Sequence, residues 1–466
     1  MPGRTTTPRS VFRRARSAAL AVALGWAVVA GATPTAAQEG DEPPWPMVGR
    51  DAAHGGTLPD GPAPPYREAW RAQVPGGPRG GPVVAGGAVI VVGGSSVAAL
   101  DAATGETRWQ AARSEGPAGP PAVAGDLVVH ASGRGERASI VARRVQDGRE
   151  VWRFFAGGAP LGGPAADGNR VFVGVRTGFV VALDAESGEE AWRFRTKGRL
   201  EGSPAVADAT VIAVSEDLGD GRATVYALDA RSGRRSWAFS PEGVSVGVSS
   251  PAVLGETVFV GMGDGQVHAL GLASGREIWS HRALAAGFSA QAFASGAVPA
   301  AGDDVVISDI ATVYRLDPAT GNEAWSFRDP RWELRREDLL VAASPIVSGE
   351  MVLIGNGSGV VTAIDLGSGV GVWRRDVGDG PIGPMAADPD RAYVVVQGPR
   401  GGVVSLEHDP QGALVVEESA TLLSPRRAVL NFAAALALVG VVILGLFRYA
   451  VPWLGRLRGP APEERP

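Results

Sequence analysis

The sequence predicts an all-β fold, an eight-bladed β-propeller of four-stranded antiparallel blades, followed by one apolar helix of membrane-spanning length. Two independent markers predict the ring. Tryptophan recurs eight times at intervals of 39 to 48 residues, at Trp70, Trp109, Trp152, Trp192, Trp237, Trp279, Trp325 and Trp373, which is the length of one blade. A proline opens each unit, at Pro82, Pro121, Pro164, Pro204, Pro251, Pro299, Pro345 and Pro384. The helix is predicted by the run from Ala428 to Phe447, which carries no charge; twenty helical residues span a bilayer core of about 30 Å.

Within a unit, Arg170-Val-Phe-Val-Gly-Val and Phe179-Val-Val-Ala-Leu alternate as strands do and are bounded by glycine. A tight turn follows the third strand, as in Ala99-Leu-Asp-Ala-Ala-Thr-Gly105, Ala182-Leu-Asp-Ala-Glu-Ser-Gly188 and Ala227-Leu-Asp-Ala-Arg-Ser-Gly233. The aspartate can bond the turn's backbone and the glycine accepts positive φ. Four residues later a tryptophan falls on the outer strand, where its ring can cover the gap between blades. Proline suits the entry of the innermost strand, because it cannot donate inside a ladder. The last unit, residues 383–409, supplies three strands. Its fourth is either residues 67–73, around Trp70, or residues 413–418; the former is expected, because it carries the missing tryptophan and ties the ends of the ring together.

The repeat Ala-x-Asp-x-x-Thr/Ser-Gly-x-x-x-Trp resembles that of the pyrroloquinoline-quinone (PQQ) propeller family, over roughly Trp45 to Val416. Trp45-Pro-Met-Val-Gly-Arg-Asp-Ala-Ala-His-Gly is similar to the lead-in of that family's non-catalytic members. The resemblance implies a propeller, and a family that holds both dehydrogenases and assembly scaffolds. It also implies what a dehydrogenase would need: two adjacent cysteines over the quinone and a calcium ion held by Glu, Asn and Asp. The chain has no cysteine, and no acidic constellation maps onto that site, so no catalytic, cofactor or metal residue is carried over and no cofactor is expected.

The ends frame the ring. Residues 1–37 read as a signal peptide, with Arg4, Arg9, Arg13, Arg14 and Arg16 before an apolar run and small residues at Ala36 and Ala37. Export by the general or the twin-arginine route stays open, as does retention of the signal as a second anchor. Residues 38–65 are a Pro/Gly-rich strap, 66–418 the propeller, 419–427 a stalk, 428–447 the transmembrane helix and 448–466 a short cytoplasmic tail. The expected location is therefore the cell membrane, single-pass, with the propeller extracytoplasmic.

Acidic residues, 49, outnumber the 44 basic ones, and no basic run lies outside the termini, so nucleic acid is not an expected partner. Several local matches read as ordinary structure. Gly243-Val-Ser-Val-Gly247 fits a nucleophile elbow but joins two strands. Gly378-Asp-Gly-Pro-Ile-Gly383 fits a dinucleotide loop without a helix to follow it. Glu216-Asp-Leu-Gly-Asp-Gly221 lacks the alternating ligands of a calcium loop. His54, His130, His268, His281 and His408 are scattered over different units.

The functional signal is topological. Loops between blades and hairpins between second and third strands share one face of a propeller, and the long or charged insertions fall there, at residues 133–138, 216–222, 285–297 and 331–338. Arg331-Trp-Glu-Leu-Arg-Arg-Glu-Asp338 places Trp332 outside the repeat beside Arg331, Arg335 and Arg336, with Phe288 and Phe293 in the neighbouring insertion. That set admits two readings, a binding hot spot or a tryptophan packed on the rim. The expected function is an extracytoplasmic scaffold for a protein partner in the envelope. Recognition of a glycan or small ligand is the alternative, and PQQ-dependent oxidoreduction a more distant one. Oligomeric state is left open.

Overall fold

The computed structural model describes residues 45–47, 49–116, 119–160, 162–243, 247–283, 300–301, 304–309, 312–329, 344–398 and 401–415. The regions expected to be signal peptide, stalk, transmembrane helix and tail lie outside them. No helix among the described residues is long and apolar enough to cross a membrane.

The strands form eight sheets, each built on four antiparallel strands in radial order; Arg199–Leu200 adds a fifth strand to the fourth sheet and Thr57–Leu58 a fifth, parallel one to the seventh. Blade one covers residues 83–112, blade two 122–155, blade three 165–195, blade four 205–239, blade five 252–282, blade six 300–327 and blade seven 346–376. Blade eight takes three strands from residues 382–408 and its outer strand from Tyr66–Gln73, which pairs antiparallel with Gly402–His408. The early strand therefore closes the ring, as expected, and the sheet edge that residues 413–418 would have covered is already taken.

Blade three shows how sequence sets local structure. Its three inner strands are mostly apolar on both faces because both are covered. Val181 and Leu183 pack with Val129, Ile140 and Trp152 of blade two, while Val180 and Ala182 pack with Val211 and Leu228 of blade four. Ala182 stands directly opposite Trp192 across the strand pair, and the register slips by one residue just beyond it. A small residue faces a large one there, which explains the alanine of the repeat. The same slip beside the tryptophan recurs in blades one, four, five and seven.

The turn behaves as its composition predicts. Asp184 accepts from the Ser187 amide at 3.0 Å and hydroxyl at 2.9 Å, and these bonds hold its carboxyl below the usual carboxylate range. In blade one, the Arg108 guanidinium and the Thr104 amide lower the matching Asp101 to about 2. Prolines 82, 121, 164, 204, 251 and 345 each immediately precede an inner strand, while Pro384 sits inside one, at a register shift.

Chain direction gives the ring two unlike faces. Blade-to-blade linkers and second-to-third hairpins emerge on one, here the loop face; first-to-second and third-to-fourth turns emerge on the other, the turn face. Part of the stretch expected as a strap lies inside the ring. Residues 45–58 enter the central channel: Trp45 bridges Val84 of blade one in antiparallel sense, and Thr57–Leu58 runs parallel to the inner strand of blade seven. Since inner strands run from loop face to turn face, this segment rises from the turn face, reverses, and leaves through it.

Candidate functional site

The loop face carries a cavity of about 890 Å³ over blades one to three, built from the linkers that lead into them and the hairpins at residues 93–95, 133–138 and 176–178. Its charged lining is Arg79, Glu115, Arg134, Glu136 and Arg176. A second cavity of about 760 Å³, between residues 73–79 and Gln397, Gly398 and Gly401, shares Gly76 and Arg79 with the first. Together they span blades eight to three. Glycines let the linkers themselves pack closely. A Cβ on Gly119 would lie 2.5 Å from the carbonyl carbon of Gly162, and one on Gly162 would lie 2.3 Å from that of Gly202, so successive linkers meet backbone to backbone.

Arg113 holds the wall of the larger cavity in place. Buried at the end of blade one, it donates from Nη1 to the carbonyls of Gly93 and Gly94, both at 2.9 Å, and from Nη2 to Gly116 at 3.2 Å. One guanidinium thus ties a hairpin to the linker beside it. Burial lowers its pKa, the charge of Arg79 adds to that, and Glu115 opposes it. From Arg176 a chain of ion pairs crosses the face. Arg176 approaches Glu201 at 4.0 Å, Arg199 bonds Glu201 at 3.0 Å and Glu216 at 3.1 Å, and Glu216 accepts from the amides of Gly247 and Val248 at 2.7 and 3.1 Å. The face is therefore charged, mixed in sign and held rigid from below, a surface suited to polar recognition of another macromolecule.

Arg331, Trp332, Arg335, Arg336, Phe288 and Phe293 all lie outside the described residues. Of the four insertions singled out, residues 133–138 are described and line the larger cavity, with a short 3₁₀ turn at Gly135–Arg137. Residues 216–222 form a hairpin whose tip is exposed, yet Glu216 itself is buried and spent on backbone amides, so that loop is not a wholly solvated turn. Among the described residues no three His, Asp or Glu side chains converge as a metal site would require.

Arg113 escaped sequence reasoning because it belongs to no repeat; its place just after an outer strand was the one available signal. The histidines take structural places. His130 and His268 are buried within blades, and His54 lies in the channel with Nδ1 2.6 Å from the Pro251 carbonyl.

Four-stranded blades, shared closure and a tryptophan-to-turn repeat define the propeller class built from PQQ-type repeats. The chain belongs to the family described as outer membrane protein assembly factor BamB, whose model matches residues 65–153, 136–293 and 221–421. No curated protein matches it. Among solved structures, BamB from Moraxella catarrhalis is similar at 18% identity, over 74% of this chain and 98% of that one, with a TM-score of 0.58. The quinohemoprotein alcohol dehydrogenase of Comamonas testosteroni is similar at 16% identity, over 82% of each chain, with a TM-score of 0.62. A europium-containing methanol dehydrogenase matches at 14% identity over 77% of this chain and 90% of that one, with a TM-score of 0.62. At such identities these likenesses show the fold alone.

Proposed function

We propose that the protein is a membrane-tethered scaffold of the cell envelope that presents its loop face to a protein partner. The observation that carries this is the placement of the chain ends. The segment beginning at Trp45 enters by the turn face, and beyond His408 the chain stays there, with the Asp409 amide on the Pro65 carbonyl at 2.7 Å and the Val415 amide on the Val372 carbonyl at 2.9 Å. Both connections to the rest of the chain therefore depart from the face opposite the cavities. The tether is supported by the uncharged run at 428–447 and the export-like order of residues 1–37. Family membership supports an assembly role, since the matched model is named for an assembly factor.

The dehydrogenase neighbours favour a second reading, oxidoreduction on PQQ, and the residues present do not fit that cofactor. The chain has no cysteine, no acidic cluster among the described residues converges as a calcium site, and residues 45–58 occupy the channel.

The test is site-specific photo-crosslinking in the native envelope, with the probe at Glu136 on the loop face or at Glu186 on the turn face. A discrete protein adduct from position 136 and none from 186 is expected. Adducts from both positions alike, or from 186 alone, would refute the presentation of the loop face; labelling of glycan at 136 would move the function to carbohydrate recognition.

A further inference from the structure

Every inner strand of a propeller leaves one edge unpaired toward the axis, and an unpaired N–H there needs an acceptor. In five blades the residue two places after the opening proline meets that need in the same way. The amides of Val84, Val123, Val206, Val253 and Val347 donate to the carbonyls of Trp45, Pro46, Ala52, Ala53 and Gly56, at 2.7, 2.7, 2.6, 2.8 and 2.8 Å. These donors come from equivalent positions in blades one, two, four, five and seven. What meets them is one short segment bent into a U, serving five separate sheets and joining only that of blade seven, through Thr57–Leu58.

The side chains of that segment act as anchors. Trp45, Met47, His54 and Leu58 are all buried, His54 completely. Because the Pro251 carbonyl can only accept, His54 Nδ1 is the donor in their bond. Main-chain hydrogen bonds with a few buried side chains is how an extended peptide is recognised by a folded host.

The segment is also held under strain. Arg50 and His54 adopt φ of +73° and +61°, a region that non-glycine residues enter at a cost. Arg50 Nε and His54 Nε2 are buried without partners. These costs oppose the anchors and make the seated state a balance, as in a bound ligand.

We propose that the central channel is a peptide-binding site whose resident ligand is the chain's own residues 45–58, and that it takes up the same sequence in trans once the connection to the outer strand of blade eight is cut. The ligand class is a short peptide with a tryptophan anchor that reverses on itself and offers its carbonyls outward. Its upstream end stays at the turn face, so release of the segment would lengthen the leash between that face and whatever precedes Trp45.

The test uses the full-length chain with a site-specific protease sequence inserted between the exposed Pro59 and Asp60. After cleavage the N-terminal fragment is expected to co-elute with the propeller. A fluorescent synthetic peptide of residues 43–59 should then replace it with saturating anisotropy at one peptide per chain. The same peptide carrying Trp45→Ala should bind about 30-fold more weakly, as for loss of a buried aromatic anchor, and a scrambled peptide should not compete. Equal competition by the scrambled peptide, or release of the fragment without uptake of the labelled one, would overturn the proposal. So would a fragment that neither leaves nor exchanges, or loss of the cooperative melt on cleavage, either of which would make residues 45–58 part of the fold instead of its ligand.

Discussion

The indole Nε1 of Trp192 donates to the carbonyl of Ala230 at 2.9 Å, so the outer strand of blade three is bonded to the turn of blade four. The contact continues at Gly233, whose φ is +70° and where an added Cβ would stand 2.6 Å from Trp192 Cδ2. The same pair of contacts joins Trp70 to Ala102 and Gly105, which carries the ring across its closure from blade eight to blade one. Trp373 departs from the pattern and meets Tyr66 edge-on at 5.0 Å. The aspartate, glycine and tryptophan of the repeat are thus one device shared between neighbouring blades.

Trp192→Ala should therefore destabilise the ring by about 3 to 5 kcal/mol, the range for a large buried aromatic. Gly233→Ala should cost more than 1 kcal/mol, because it strains the backbone and pushes the indole from its seat. Chemical denaturation at constant m-value measures both. The double variant should lose less than the sum of the two, since the residues share one contact.

The same device explains what was legible in the sequence. The tryptophans, the Asp-x-x-Thr/Ser-Gly turns and the prolines repeat because each blade must meet the next in the same way, and periodicity exposes them. Closure through the strand around Trp70 was legible for that reason too, since it supplied the one missing copy. The channel segment was not, because it occurs once and its partners are backbone amides, which leave no residue signature beyond the Trp45 lead-in. On the loop face, residues 133–138 were found by length and charge. Arg113 was hidden because it bonds carbonyls, and Glu216 because its role depends on amides about thirty residues away.

His130 and His268 should give opposite pH dependences. His130 is buried, and its Nε2 accepts from Arg143 Nε at 3.3 Å. Burial pushes its pKa to about 3, the nearby arginines adding to this against a backbone hydrogen bond. The folded state therefore binds fewer protons than the unfolded one, and the contribution is complete above about pH 6.5 and lost as the pH falls toward 3. For His268, burial is outweighed by Asp264 at 3.0 Å and Glu277 at 2.8 Å, and its pKa is raised. Its contribution is present below about pH 6.5 and lost as the pH rises through the raised value. Denaturant midpoints from about pH 5 to 8 should show that His130→Leu flattens the acid limb and His268→Gln the limb above it. Unchanged limbs in both variants would show that neither histidine controls the slope.

Purified full-length protein mixed with PQQ and calcium should show no dye-linked oxidation of alcohols or sugars. The expectation rests on the missing cysteine pair and the occupied channel. Reproducible turnover that depends on added PQQ would show that the quinone finds a seat elsewhere in the ring, and would replace the scaffold reading by an enzymatic one.

The proposed tether makes a geometric prediction, and the absence of cysteine makes it simple to test, because a single introduced thiol can be labelled alone. Glu136 is exposed on the loop face and Glu186 is exposed in a turn on the opposite face. With the full chain in liposomes, a donor dye at Glu186→Cys should transfer energy to an acceptor in the bilayer more efficiently than one at Glu136→Cys, because both connections to the rest of the chain leave through the turn face. Flotation with the liposomes reads the tether separately. A chain that does not float removes the membrane anchor whatever the dyes report. A chain that floats with equal transfer from both positions keeps the anchor and shows that the propeller turns freely on its stalk, while greater transfer from position 136 would put the cavity face against the lipid and leave no room there for a protein partner.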